Sequence, residues 1–207
     1  MNHTVESQLT PVDPSIAAAA DGHIILLFDM DDMKNTVLRL RNDPRPRYFV
    51  HTVNNTKTTV HGGDRLLATI ERKTLRPDQI TFPGASPMNL GDWLKAPMWS
   101  SFPLSFEDGG KRFEWRKNFI GQLSLHDPTH SETMSWFSKS RKRVENGKRV
   151  VHAAFIAIKP EYDHKRDVIV TSCLLAEHKL RMKGKHSALP EGAASMSLMA
   201  YSAAVGT

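Results

Sequence analysis

The sequence predicts a mainly β domain, an antiparallel barrel of about twelve strands closed around one apolar helix near its C-terminus. Three observations carry this reading. From His23 onward, short runs rich in Val, Ile, Leu, Thr and aromatics recur between turn residues, at the roughly 8–12-residue spacing of a sandwich or barrel. No amphipathic helical stripe occurs among them. Residues 168–176 carry no charge on any face, and a helix apolar all round must be enclosed.

A chain of 207 residues has room for one such domain and a sizeable core. Residues 1–22, polar and then Ala-rich, read as a flexible leader. Residues 23–185 read as the barrel domain and 186–207 as a small-residue-rich tail.

The first five strands are HIILLFDM (23–30), TVLRL (36–40), RYFVHTV (47–53), KTTVH (57–61) and RLLATIER (65–72). Asp-Asp, Asn-Asp-Pro, Asn54-Asn55 and Gly62-Gly63 separate them, the last two pairs supplying positive φ for tight turns. QITF (79–82) follows, then MNLGDWLK (88–95), which suits either a strand or a short helical turn. FPLSF (102–106) leads through a turn at 107–110 into the clearest hairpin, RFEWRK (112–117) with FIGQLSLH (119–126). There Phe113 and Trp115 alternate with Arg112, Glu114 and Arg116, giving one apolar and one charged face. At 132–139 the same alternation puts Met134 and Trp136 on one face. The last long strand is VVHAAFIAI (150–158), with the basic loop SRKRVENGKR (140–149) in front of it.

VIVTSCLLAEHKLRMK (168–183) is the helix, with Asp167 as its N-cap and Lys179, Arg181 and Lys183 toward its C-terminus, where cations are favoured. Val168-Ile169-Val170 alone would also suit a buried strand, but the strong helix formers of 178–183 favour the helix.

Composition excludes several chemistries. One cysteine, Cys173, allows no intrachain disulfide and no multi-cysteine zinc site, and in the apolar helix it reads as inert packing. There is no secretory start and no apolar run long enough to span a bilayer, so the expected location is cytoplasmic or nuclear, with peripheral membrane association allowed. The sequon at Asn54-Asn55-Thr56 is accordingly not expected to be glycosylated. No Gly-x-Ser-x-Gly, phosphate loop or dinucleotide fingerprint occurs, no spacing picks out a triad, and no cofactor is expected. Asp29-Met30-Asp31-Asp32 lacks the Gly and terminal Glu of a calcium loop and reads as a turn.

The net charge of +6 fits either a mildly basic protein or an anionic partner. Without a reading motif it does not point to nucleic acid. The densest basic stretch is Lys139, Arg141, Lys142, Arg143, Lys148 and Arg149; Lys111, Arg112, Arg116 and Lys117 form a second set that could join it. Arg grips phosphate bidentately and Lys acts as a point charge, each worth about 1 kcal/mol near an anionic membrane. A solvated hairpin loop and an import-like patch are the alternatives. His126-Asp127-Pro128-Thr129-His130, with His152 and His164, invites a metal reading. Pro128 opposes a helical pair, however, and zinc needs three or four convergent ligands, so no metal site is expected.

The order of about a dozen strands followed by one apolar helix resembles the tubby C-terminal-like superfamily, which includes the tubby, phospholipid scramblase and LURP-one families. GGKRFEWRKNFIGQLSLHD (109–127) and DVIVTSCLLAEHKLRMK (167–183) are similar to an uncharacterised fungal family near that superfamily, the likeness covering roughly 23–183. The resemblance implies a barrel wrapped around a hydrophobic helix. It also implies cationic side chains of the kind with which tubby proteins bind phosphoinositides. The scramblase cysteine cluster and membrane-spanning end have no counterpart here. The expected function is a non-enzymatic domain that docks on anionic phospholipid headgroups or a phosphorylated partner through the 139–149 loop. One alternative is an enzyme or small-molecule carrier with a cavity at a barrel mouth, its polar groups His126, His130 and His152. Another is a protein-interaction scaffold or effector using the tail.

Overall fold

The computed structural model describes residues 22–118, 121–129, 132–145 and 147–187. Nearly all of the leader and tail, together with His130, lie outside the described residues.

Alternation of apolar and polar residues builds a first antiparallel meander. Its strands are β1 (Ile24–Phe28), β2 (Thr36–Leu40), β3 (Asp43–Val53), β4 (Lys57–Gly62), β5 (Arg65–Glu71), β6 (Gln79–Thr81) and β7 (Met88–Asn89). A short helix, α1 (Leu90–Trp93), leads to a second meander of β8 (Leu104–Asp108), β9 (Lys111–Lys117), β10 (Leu123–His126) and β11 (Thr133–Ser138). β12 (Arg141–Glu145) and β13 (Lys148–His152) pair only with each other, as a two-stranded ribbon. β14 (Phe155–Ile158) returns between β11 and β1 and joins the meanders into one 12-stranded sheet. Pro160–Lys165 forms a 3-10 turn that runs directly into α2 (Arg166–Ser187).

One face of this sheet and α2 share a single apolar core. Every residue from Ile169 to Glu177 is buried, the enclosure expected of an uncharged helix. The Trp115 indole N–H, wholly inside, donates to Ser172 Oγ at 3.0 Å, so the largest core side chain is keyed to the helix. The edge strands are β7 and β8. Beyond α1, Lys95 and Ser105 of β8 exchange both backbone hydrogen bonds at 2.8 Å, linking the chain that leaves one edge to the other.

Several expectations need correction. The strand expected over 150–158 is two strands: β13 belongs to the ribbon and β14 to the sheet, with a break at Ala153-Ala154. Met134 and Trp136 do not share an environment. The register shifts so that Leu125 faces Ser135 and His126 faces Thr133. This bulge turns Met134 into the main core beside Phe137 and leaves Trp136 on the other side with Ile25, Phe155 and Ala157. Asn54 and Asn55 adopt positive φ, and so does Gly63, but Gly62 is a strand residue. A Cβ at Gly62 would come within 3.3 Å of Leu67 and 3.4 Å of Tyr48, so its smallness serves packing. Asp167 is not the N-cap, because the 3-10 turn extends the helical chain ahead of it. Its carboxylate instead accepts hydrogen bonds from Tyr48 Oη at 2.7 Å and from Arg65.

The registers give the sheet two ends. At the lower end α2 begins, near the 63–64 and 109–110 connections and the His126 end of β10. At the upper end α2 emerges, among the connections 29–35, 54–56, 72–78 and 94–103 and the ribbon 141–152.

Candidate functional site

The ribbon leaves the upper end because Ser138 and Phe155 are paired there and the chain between them has no place in the sheet. Its base is fastened by a polar network. Ser140 donates to Asp31 Oδ2 from both its backbone N–H (3.0 Å) and its hydroxyl (2.8 Å). Arg181 of α2 donates to the Asp31 carboxylate and to its carbonyl oxygen (2.7 Å), and its Nε donates to Glu177 Oε1 at 2.7 Å. Lys139 Nζ lies 3.3 Å from the same Glu177 oxygen. Burial alone would raise the pKa of Asp31, but hydrogen bonds from Arg181 and Ser140 hold it below the ordinary value. Burial likewise opposes the charge on Arg181, and Asp31 and Glu177 outweigh it, raising its pKa. Lys139 is thus committed to holding the ribbon against α2.

The other ribbon cations point outward. The pairs Arg141–His152 and Arg143–Val150 lie on one face together with Lys148; Lys142–Val151 and Val144–Arg149 lie on the other. The second face therefore interleaves two cations with two exposed valines, Val144 being 70% exposed. No carboxylate of the described residues lies within ion-pair distance of Arg141, Lys142, Lys148 or Arg149.

The rest of the upper end repeats this chemistry. Leu75 (95% exposed) sits on the β5–β6 connection beside Lys73 and Arg76, and Met98 (87%) and Trp99 (94%) on the connection before β8. Lys183 Nζ donates to Ser101 Oγ at 3.0 Å, which places that connection against the end of α2. Met30, Val53 and Met182 add exposed apolar surface at the same end. Isolated exposed apolar residues are ordinary, but their concentration at one end together with cations sets this end apart.

The second basic set is divided. Arg112 and Arg116 both pair with Glu114, at 3.1 and 3.2 Å, on the outer face of β9. Lys111 begins β9 at the lower end, and Lys117 alone reaches the upper end. The histidines are divided as well. His126 ends β10 at the lower end with its Nε2 2.9 Å from Ser124 Oγ, whereas His152 is buried at the foot of the ribbon. They line no common mouth, and His164 is occupied in the 3-10 turn by the Glu161 carbonyl oxygen at 3.0 Å. Among the described residues no three His, Cys, Asp or Glu side chains converge as metal ligands. No helix among them is long and apolar enough to cross a membrane. Burial raises the Cys173 thiol pKa far above its ordinary value, which leaves it unreactive.

Sequence reasoning missed Asp31, Glu177 and Arg181 as a unit, because 150 positions separate Asp31 from Arg181. Met98-Trp99 carried a visible signal, an apolar pair outside any alternating run, in a stretch bounded by Pro97 and Ser100.

No curated protein and no solved structure matches the chain. A family model matches residues 31–182, from the β1–β2 connection with Asp31 to the emerging end of α2, and so spans the whole sheet except β1. The chain belongs to that family, the family of unknown function DUF6593.

Proposed function

We propose that this chain is a non-enzymatic binding module that docks its upper end on an anionic phospholipid surface. One observation carries the reading: Arg141, Lys142, Lys148 and Arg149 have no carboxylate partner among the described residues and stand beside exposed Val144 and Val151, at the end that also presents Leu75, Met98 and Trp99. Cations attract such a surface through its negative potential, and short apolar tips and an indole suit the headgroup region. We read the sheet as a closed barrel of tubby-like architecture. The Lys95–Ser105 bridge and the burial of every α2 residue from Ile169 to Glu177 support that reading.

The test is sedimentation of the chain with vesicles of neutral or anionic lipid at low and physiological salt. Binding should require anionic lipid and weaken with salt. Reversing Arg141, Lys142 and Arg143 to Glu should lower vesicle affinity by about tenfold or more, since each such cation contributes about 1 kcal/mol. The melting temperature should stay in place, because the ribbon carries none of the main core. Undiminished binding by that variant, or binding to neutral vesicles alone, would overturn the proposal. Capture of a phosphopeptide in place of vesicles would assign the ribbon to a phosphorylated protein.

A further inference from the structure

At the same end as the ribbon, and separate from it, lies a cavity of about 410 Å³ between α1, the β5–β6 connection and the last turns of α2. Leu90, Leu94 and Leu175 make an apolar floor, Met182 an apolar wall, and Arg72, His178 and Lys179 a nitrogen-rich rim. We propose that this cavity binds a single-chain amphiphile with one anionic head, the chain on the leucine floor and the head between Arg72 and Lys179.

Arg72 is half-buried; its Nη1 donates to Thr58 Oγ1 at 2.7 Å and its backbone N–H to the Thr56 carbonyl oxygen at 2.7 Å, which fix it in place. Neither Arg72 nor Lys179 has a carboxylate within ion-pair distance among the described residues. The one acid lining the cavity, Asp78, accepts from the Lys73 backbone N–H at 3.1 Å. Lys179 is exposed at the rim, whereas Arg72 is half-buried with Asp78 as its nearby acid; partial withdrawal of the guanidinium from water costs free energy, and an arriving anion would recover part of it. Burial depresses the pKa of Arg72 more than Asp78 raises it, so this guanidinium is incompletely compensated; partial burial lowers that of Lys179 as well. The rim thereby selects against a neutral head, and the floor against a small hydrophilic anion.

Gly91 of α1 lines the cavity, and a Cβ built there meets nothing within 4 Å. A larger side chain at this position can occupy the cavity without disturbing the backbone. The experiment is a calorimetric titration of the chain with dodecanoate, dodecyl phosphate and dodecanol, each below its micelle concentration. Both anions should bind one to one and dodecanol at least about tenfold more weakly. Gly91→Leu and Lys179→Glu should each cost about tenfold in anion affinity, with the ligand-free melting temperature unchanged. A preference for carboxylate or for phosphate identifies the head, and either preference supports the site. The triple ribbon reversal should leave this titration intact, so it stands or falls apart from vesicle docking. Lack of binding by both anions, equal affinity for the alcohol, undiminished affinity in both cavity variants, or a titration that follows the ribbon charges would each overturn the assignment.

Discussion

Two side chains on α2 show how strongly single positions are constrained. Ser172 Oγ accepts the Trp115 N–H and also donates to the Ile169 carbonyl oxygen at 3.1 Å, all in the dry interior. Ser172→Ala would orphan a buried indole N–H and should cost about 1–3 kcal/mol in urea unfolding, whereas a loss near zero would show that the bond contributes nothing. His178, two turns on, has its pKa pushed down to about 4 from 6.5 by burial first and by Arg72 and Lys34 next; Asp78 and Asp32 act the other way. The unfolded chain therefore takes up this proton more readily than the folded one. The stability contribution is fully present above about pH 6.5 and is lost as pH falls toward about 4. His178→Gln should flatten the stability profile in that window, and an unchanged slope in thermal melts from pH 7 to 4 would refute the assignment. Neither environment could be read in advance, because Trp115 and the charged groups around His178 lie far from α2 in the sequence.

At the scale of elements, legibility followed period and length. β1 to β5 were readable because each is an apolar-rich run between turn residues, and α2 because no charge interrupts residues 168–176. The failures have local causes. Residues 150–158 form one apolar run, yet Ala153-Ala154 supplies no bulk to hold the chain straight, and the strand breaks where the ribbon leaves the sheet. The bulge at Met134 leaves no mark in composition, since each face of β11 carries a large aromatic side chain, Trp136 on one and Phe137 on the other. The 139–149 stretch was recognised by its charge, but its division into two faces came only with the pairing of β12 and β13. A ribbon outside the main core and dense in Lys and Arg is open to proteases. Limited trypsin treatment should nick residues 141–149 before any sheet strand, and the halves should co-elute because β11 and β14 remain paired. Mass spectrometry showing first cuts in β3 or β9 would contradict this picture of the ribbon.

Across the whole molecule, the asymmetry between the two ends was invisible in a net charge of +6, which says nothing of where charges gather. Topology sorts them. It also sets Trp99 apart from the other three tryptophans, since Trp115 is buried and Trp93 and Trp136 pack against Phe82 and His23 respectively. Bound anionic vesicles should shield Trp99 from aqueous quenchers, removing about half or more of the quenchable emission if the indole reaches the headgroup layer. A Trp99→Phe variant should show no such change, and equal quenching with and without vesicles in the parent would place the contact elsewhere. The pairing of β1 with β14 has a kinetic consequence. Ile24 lies opposite Ile158, so the bond row that unites the meanders closes a loop spanning most of the domain. Each meander can assemble from near neighbours in the chain, but the join waits for that closure, which slows folding toward the millisecond-to-second range of other proteins rich in distant contacts. Until it forms, the apolar helix has only a half-built sheet to cover it. The interval between meander formation and closure is therefore when this chain is most exposed to aggregation.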